Sequence, residues 1–168
     1  MQRQSSIGRV FLRAAVAPDL PQIVEMLRGA GLIVAGVEDH LGAFLVAADG
    51  ERVIGSAGLE VYGDVALLRS VAVDEGLRGQ GLGRRLVTAA LANARRLGVR
   101  EVALLTTSAA PFFRRLGFRE AERQALDPRL AASQELGDEC CASAVVMMLR
   151  LRPREDTFGA VVSAEGPA

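Results

Sequence analysis

Between an apolar run that ends at Val73 and a helical repeat that begins at Leu82 lies the turn Arg78-Gly79-Gln80-Gly81-Leu82-Gly83. The upstream segment, Leu67 to Val73, has the short apolar character of a buried strand. Downstream, Leu82, Leu86, Ala90, Leu91, Ala94 and Leu97 recur at helical spacing on one face. A strand, a glycine turn and a helix N-terminus in succession make an anion site. The first helical amides have no internal partners, and the helix dipole turns its positive end towards whatever sits there. Glycines let a phosphate approach the backbone because no Cβ intervenes. Arg78, Arg84 and Arg85 add positive charge around the same turn.

Three readings of the turn compete with a plain loop entering a helix. A dinucleotide fingerprint fails on spacing, since Gly79-Gln80-Gly81-Leu82-Gly83 is not G-x-G-x-x-G and no second βαβ half follows. A Walker loop fails because the chain contains no lysine. The third reading is a resemblance. Arg78-Gly79-Gln80-Gly81-Leu82-Gly83 resembles the R/Q-x-x-G-x-G/A signature of the Gcn5-related N-acetyltransferases, placed as in that family after a strand and at the start of a long helix. The resemblance implies that backbone amides of this loop hold the pyrophosphate of acetyl-CoA.

Composition removes several other classes. The 168 residues carry a formal net charge of zero, so no broad basic field draws the chain to nucleic acid. No apolar run reaches membrane-spanning length, and the N-terminus has arginines without a signal-peptide core. Cys140 and Cys141 are adjacent, which is neither a disulfide framework nor a zinc pattern, and no metal is expected. A cytoplasmic enzyme of one domain fits these bounds.

Taken in order, the chain predicts a first strand over Val10 to Val16 and a helix opened by Pro18-Asp19-Leu20-Pro21. A short helical or loop segment is expected at Val37 to Leu41. Ala43 to Ala48 and Val53 to Tyr62 read as strands joined by the hairpin signal Asp49-Gly50. Gly63-Asp64 reads as a second tight turn into Val65 to Val73. A two-residue loop there sets Tyr62 opposite Val65 and Glu60 opposite Leu67, leaving Arg69 one diagonal step from Glu60. After the central helix come a strand at Glu101 to Leu105 and a short helix from Ala109 to Leu116. Phe118 starts another strand, Asp127-Pro128 caps a helix to about Leu136, and Ala142 to Leu151 is a final strand. The sum is an α/β (α+β) domain: a mixed, mostly antiparallel sheet of about six to seven strands flanked by helices. That order is also the order of the acetyltransferase fold. The division expected is an extension over 1–9, the acetyltransferase domain over 10–152 and a disordered tail over 153–168.

A second motif carries the same resemblance. Ala110-Pro111-Phe112-Phe113-Arg114-Arg115-Leu116-Gly117-Phe118 is similar to the family's A-x-x-F-Y-x-x-x-G-F segment. The usual tyrosine, often the acid that reprotonates the coenzyme A thiolate, falls at Phe113, which has no proton to give. A thiolate is already a good leaving group, so turnover survives this loss in principle. Core packing under the short helix accounts for Phe113.

The resemblance implies roles for particular residues. Ser70, Val71, Ala72 and Val73 map to the strand that aligns pantetheine and the acetyl carbonyl, and Arg78, Gly79, Gln80, Gly81, Leu82, Gly83, Arg84 and Phe112 complete the cofactor set. Acetyl transfer also needs a neutral amine and a group to take its proton. Glu60 is the candidate base, with an ion pair to Arg69 as its structural alternative. Arg69 is unusual in an apolar strand and needs an anion, either Glu60 or an acceptor carboxylate. Tyr62, the only tyrosine, is a pocket residue, a proton donor or a structural residue at the hairpin end, and His40, the only histidine, is a substrate contact or a surface residue. Thr106 and Thr107, followed by Ser108, sit where strands of this fold part, and are acceptor or pantetheine contacts.

A narrower resemblance concerns the acceptor. Gly58-Leu59-Glu60-Val61-Tyr62-Gly63-Asp64, Leu67 to Val73, Leu104-Leu105-Thr106-Thr107 and Ala142-Ser143-Ala144 resemble short acetyltransferases associated with bacterial arsenic resistance, relatives of the amino-acid N-acetyltransferases. This implies a small amino-acid-like acceptor such as arsinothricin or phosphinothricin. An N-acetylglutamate-synthase-like enzyme and a non-catalytic acyl-CoA sensor are the alternatives. Homodimers are common in the family; neither nucleic acid nor membrane is an expected partner.

Overall fold

The computed structural model describes residues 9–137 and 143–153. Apart from Arg9 and Pro153, the expected extension and tail lie outside the described residues, as do Cys140-Cys141 and the start proposed for the last strand at Ala142. One seven-stranded sheet organises the chain, in the order β1-β2-β3-β4-β5-β7-β6. Its strands are β1 (Val10–Ala14), β2 (Phe44–Asp49), β3 (Arg52–Tyr62), β4 (Val65–Val73), β5 (Glu101–Thr106), β6 (Arg119–Ala121) and β7 (Val145–Arg150). Every neighbouring pair is antiparallel except β4 and β5. The mixed sheet and its flanking helices match the expectation from sequence.

The helices are α1 (Leu20–Gly29), α2 (Leu82–Arg96), α3 (Ala110–Arg115) and the single turn α4 (Gln134–Gly137). On α2, Leu82, Leu86, Val87, Ala90, Leu91 and Ala94 are buried and pack with Ile54, Leu59, Leu68, Val102, Leu104 and Met147. Burying a leucine of this kind is worth about 1.5–3 kcal/mol, so this face anchors the helix to the sheet. Leu97, expected on the same stripe, is 43% exposed because it caps the helix rather than continuing it. The opposite sheet face is covered by Ile23 and Leu27 of α1, which meet Phe44, Val46 and Val53. Farther along that face, Leu130 closes over Val65, Leu67 and Ala103.

Of the helical or loop alternatives at Val37 to Leu41, the chain takes turns that lead into a 3-10 turn at Leu41–Ala43. The helix expected from Asp127 to Leu136 is two pieces. Asp127 accepts a hydrogen bond from the Arg129 amide at 2.9 Å, as its capping role requires. The 3-10 segment Pro128–Ala132 then stops at Ser133, whose extended backbone (ψ 134°) turns the chain before α4.

The hairpin registers are as the turns dictate: Asp49 pairs with Arg52, Tyr62 with Val65, and Glu60 with Leu67. Between Ser56 and Gly58 the β3–β4 register slips, so β4 carries one extra residue near Ser70. Ser70 has φ 55°, the left-handed region that non-glycine residues seldom enter. A bulge of this kind interrupts the ladder and bends the strand. On its other edge β4 pairs with β5 only through Val65–Glu101, Ala66–Val102 and Leu67–Ala103. Beyond Leu67 the two strands part, and backbone groups of β4 are left facing the gap.

Candidate active site

The gap between β4 and β5 widens into a cavity of about 770 Å³. Its walls are residues 68–73 of β4 and Leu104 to Ala109, from the end of β5 into the segment after it, with Phe112 and Phe113 of α3 beneath. Thr106 Oγ1 accepts from the Ala109 amide at 2.9 Å, so one of its lone pairs is spent on starting α3. Phe113 is 6% exposed and packs edge-on against Phe112 and Phe118, with centroids 5.0 and 5.8 Å apart. Packing therefore explains it.

One end of the cavity is made by the glycine turn. Arg78, Gly79, Gly81, Leu82, Gly83 and Arg84 line it. Gly79 and Gly81 both have φ 81°, and nothing lies within 4 Å of where a Cβ would stand on either. That combination is a concave backbone cradle with open space above it. Gly81 is the residue before α2, so the first amides of a 15-residue helix point out of the cradle. Arg78 donates from Nε to the Val73 carbonyl at 3.2 Å, which ties the turn to the end of β4. The donor set suits a pyrophosphate: free amides, a helix N-terminus and two arginines. Gln80 is not part of the wall.

Four residues back along β4 the wall is built from charged side chains. Arg69 and Glu60 have side chains with no exposed surface, and Nη1 donates to Glu60 Oε1 at 2.6 Å. Arg69 also donates from Nη2 to the Ile33 carbonyl at 2.9 Å and from Nε to Ser70 Oγ at 3.1 Å. Tyr62 donates to Glu60 Oε2 at 2.7 Å. His40 Nε2 lies 3.9 Å from Glu60 Oε1, with its ring edge-on to Tyr62 at 6.0 Å. Burial opposes charge on Glu60, but hydrogen bonds from Tyr62, Ser133 and Arg69 outweigh it and hold the carboxyl below its ordinary range. Tyr62 is pushed upwards by burial and by Glu60.

These contacts separate the residues singled out by sequence. Ser70, Val71, Ala72, Val73, Arg69, Thr106 and Thr107 all line the cavity. Glu60, Tyr62 and His40 form a layer behind Arg69 and do not line it. Glu60 is thus a poor proton acceptor: it is fully buried, fully partnered and already stabilised as an anion. Its ion pair with Arg69, the structural alternative, is what the geometry displays.

The cavity wall instead presents Glu135, which sequence reasoning passed over. Its Oε1 lies 3.5 Å from Arg69 Nε, and its side chain is 12% exposed. Burial raises its pKa; Arg69 lowers it and Glu60 raises it, leaving about 7. In a continuous helix from Asp127, Glu135 would be one more polar surface position. The break at Ser133 turns it inward, and Ser133 Oγ accepts from the Glu135 amide at 3.2 Å. The Ser133-Gln134-Glu135 sequence, a capping residue just before a turn of helix, was the available signal.

A family model for the acetyltransferase (GNAT) domain matches residues 40–120. An uncharacterized N-acetyltransferase of Chlorobaculum tepidum is 36% identical over 117 residues, covering 67% of this chain and 75% of that protein. An amino-acid acetyltransferase of Mycobacterium tuberculosis is 36% identical over 93 residues, 55% of this chain, which spans about half (49%) of that relative's length. A crystal structure of a Mycobacterium tuberculosis protein in complex with CoA and NLQ superposes with TM-score 0.72 at 25% identity, covering 84% of this chain and 99% of that one.

Proposed function

The chain belongs to the GNAT N-acetyltransferases and uses acetyl-CoA, and on that premise we propose that its acceptor is a small α-amino acid or a close analogue. Bound at the cradle, acetyl-CoA supplies the thioester whose acetyl group is transferred. The parted strand β4, bent at Ser70, offers backbone groups to align the transferring end beside Arg69 and Glu135.

One observation carries the acceptor reading. At the end of the cavity away from the glycine cradle, a guanidinium and a carboxyl stand side by side, Arg69 Nε and Glu135 Oε1 3.5 Å apart. An amino acid presents the mirror image of that pair, a carboxylate and an ammonium on one carbon. Burial strengthens such matching, because neither charge is well served by water there. Arg69 is the arginine of the wall outside the glycine turn; its nitrogens are engaged by Glu60, Ile33 and Ser70, and its charge is what draws an acceptor carboxylate to this end. Arsenical and phosphinic amino acids keep the same two groups and differ in the side chain, which fits the narrower resemblance to arsenic-resistance acetyltransferases. The 36% identity to an amino-acid acetyltransferase supports an amino-acid acceptor, and an N-acetylglutamate-synthase-like use of glutamate is the second reading.

Among the described residues no helix is long and apolar enough to cross a membrane. The deciding experiment is thiol release from acetyl-CoA across the common amino acids, phosphinothricin, arsinothricin and matched amines lacking a carboxylate. Turnover confined to carboxylate-bearing amines supports the reading, and the best substrate separates the resistance role from glutamate acetylation. Equal or faster turnover of the amines without a carboxylate rejects it.

A further inference from the structure

Glu135 has the features of a working group rather than a structural one. It lies on the wall of the cavity, and among the described residues the approach shown for its carboxylate is the 3.5 Å one to Arg69 Nε. That nitrogen already donates to Ser70 Oγ at 3.1 Å. Glu135 and the bulge residue of β4 therefore both lie against Arg69 Nε, Ser70 through a hydrogen bond and Glu135 through charge, which sets the carboxylate beside the point where β4 bends into the gap. Glu60 is the contrast within the same cluster. Both its oxygens accept short hydrogen bonds, at 2.6 and 2.7 Å, and it faces away from the cavity.

We propose that Glu135 is the general base of the transfer, taking a proton from the acceptor ammonium, while Glu60 and Arg69 hold it in place. This rests on the reading of the cavity as the transfer site and goes beyond it by naming the base. The acceptor ammonium gives one proton to the Glu135 carboxylate, and the freed lone pair forms the N–C bond to the acetyl carbon. The C–S bond breaks with its electron pair on sulfur. The second proton shed by nitrogen neutralises the thiolate, and Glu135 returns its own to solvent through the 12% of its side chain that is exposed.

The charges facing Glu135 suit the task. Arg69 favours its anionic form; Glu60 opposes it; burial opposes it more strongly, and it titrates at about 7. His40 and Tyr62 face Glu60 rather than Glu135, and Arg78 and Arg84 stand at the glycine turn. A base that titrates near the working pH can both accept the proton and release it in each turnover.

The test compares wild type, Glu135→Gln and Glu135→Asp. The first readout needs no cofactor: the wild-type minus Glu135→Gln infrared difference should show one carboxyl titrating at about pH 7. The second is the pH dependence of kcat/KM over primary amines from strongly basic α-amino acids to hydroxylamine, which is neutral without help. Glu135→Gln should bind coenzyme A as wild type does by calorimetry. It should lose about 100-fold in kcat with α-amino acids, lose the acidic limb of the profile, and lose far less with hydroxylamine. Glu135→Asp should keep the limb with reduced rate. A purely structural role predicts a raised KM with the limb intact, and that result overturns the proposal. So does an unchanged kcat in Glu135→Gln, or a carboxyl that titrates in the ordinary range. Failure of the amino-acid reading looks different: Glu135-dependent acetylation of amines with no preference for a carboxylate. If no amine is acetylated while coenzyme A binds, both readings fall.

Discussion

At the glycine turn the cavity wall is backbone, and any sequence with the same conformations would make nearly the same surface. Four residues back along β4 the wall is side chain, and each atom there depends on another: Arg69 on Glu60, Glu60 on Tyr62, Glu135 on the bend at Ser133. The first end is suited to a ligand group that does not vary, a pyrophosphate held by amides. The second is suited to discrimination, because a buried charge network penalises an acceptor that leaves any member unpaired. The difference predicts that mutations at the two ends fail in different ways.

The largest effect is expected at the side-chain end. Arg69→Met strands the buried Glu60 carboxylate, and breaking such a pair from one side costs about 3–5 kcal/mol. Urea denaturation should show that loss, and Glu60→Gln added to Arg69→Met should recover part of it by removing the stranded charge. A loss under about 1 kcal/mol would mean that the network does not hold this end of the sheet, and the contrast would collapse. At the backbone end, Gly81→Val forces a side chain into the left-handed conformation, a strain of about 1–2 kcal/mol. If the cradle yields to relieve it, coenzyme A affinity falls about tenfold by calorimetry while the fold melts nearly as before. Unchanged affinity would remove Gly81 from the cradle.

The same contrast governs what could be read from the chain alone. The glycine turn was legible because its function is its local conformation, and glycine spacing encodes that directly. The Glu60–Arg69 pair was legible for a related reason: the two-residue turn Gly63-Asp64 sets the register, and the register sets the diagonal. What the register could not say is which side of Arg69 faces the cavity. Ile33, itself on the cavity wall, sets its carbonyl on Nη2, and the turns that follow bring His40 beside Glu60, so Glu60, Tyr62 and His40 became the support of Arg69. Glu135 was hidden for the converse reason. It lies 66 residues downstream of its partner by numbering, and reaches it only because the helix begun at Pro128 breaks at Ser133. The extra residue of β4 at Ser70 was equally silent, since serine carries no preference for φ 55°.

Phe113 sharpens the comparison at its smallest scale, because it lies between the two ends and belongs to neither. Its ring is held edge-on by Phe112 and Phe118, and it also lines the cavity, so a tyrosine there brings a phenol to the cavity wall. Phe113→Tyr should therefore change stability by less than about 1 kcal/mol, the range of a tolerated substitution. Its kinetic effect tests whether the departing thiolate lacks a proton donor. If that step limits turnover, a phenol in reach raises kcat by about tenfold, at the modest end of what a positioned acid contributes. The gain should vanish in Glu135→Gln, where removal of the amine proton has become slower than departure of the sulfur. A kcat unchanged by the tyrosine, in a variant that melts normally, would mean the thiolate leaves unassisted. The chemistry of the cavity would then rest on its carboxyl alone.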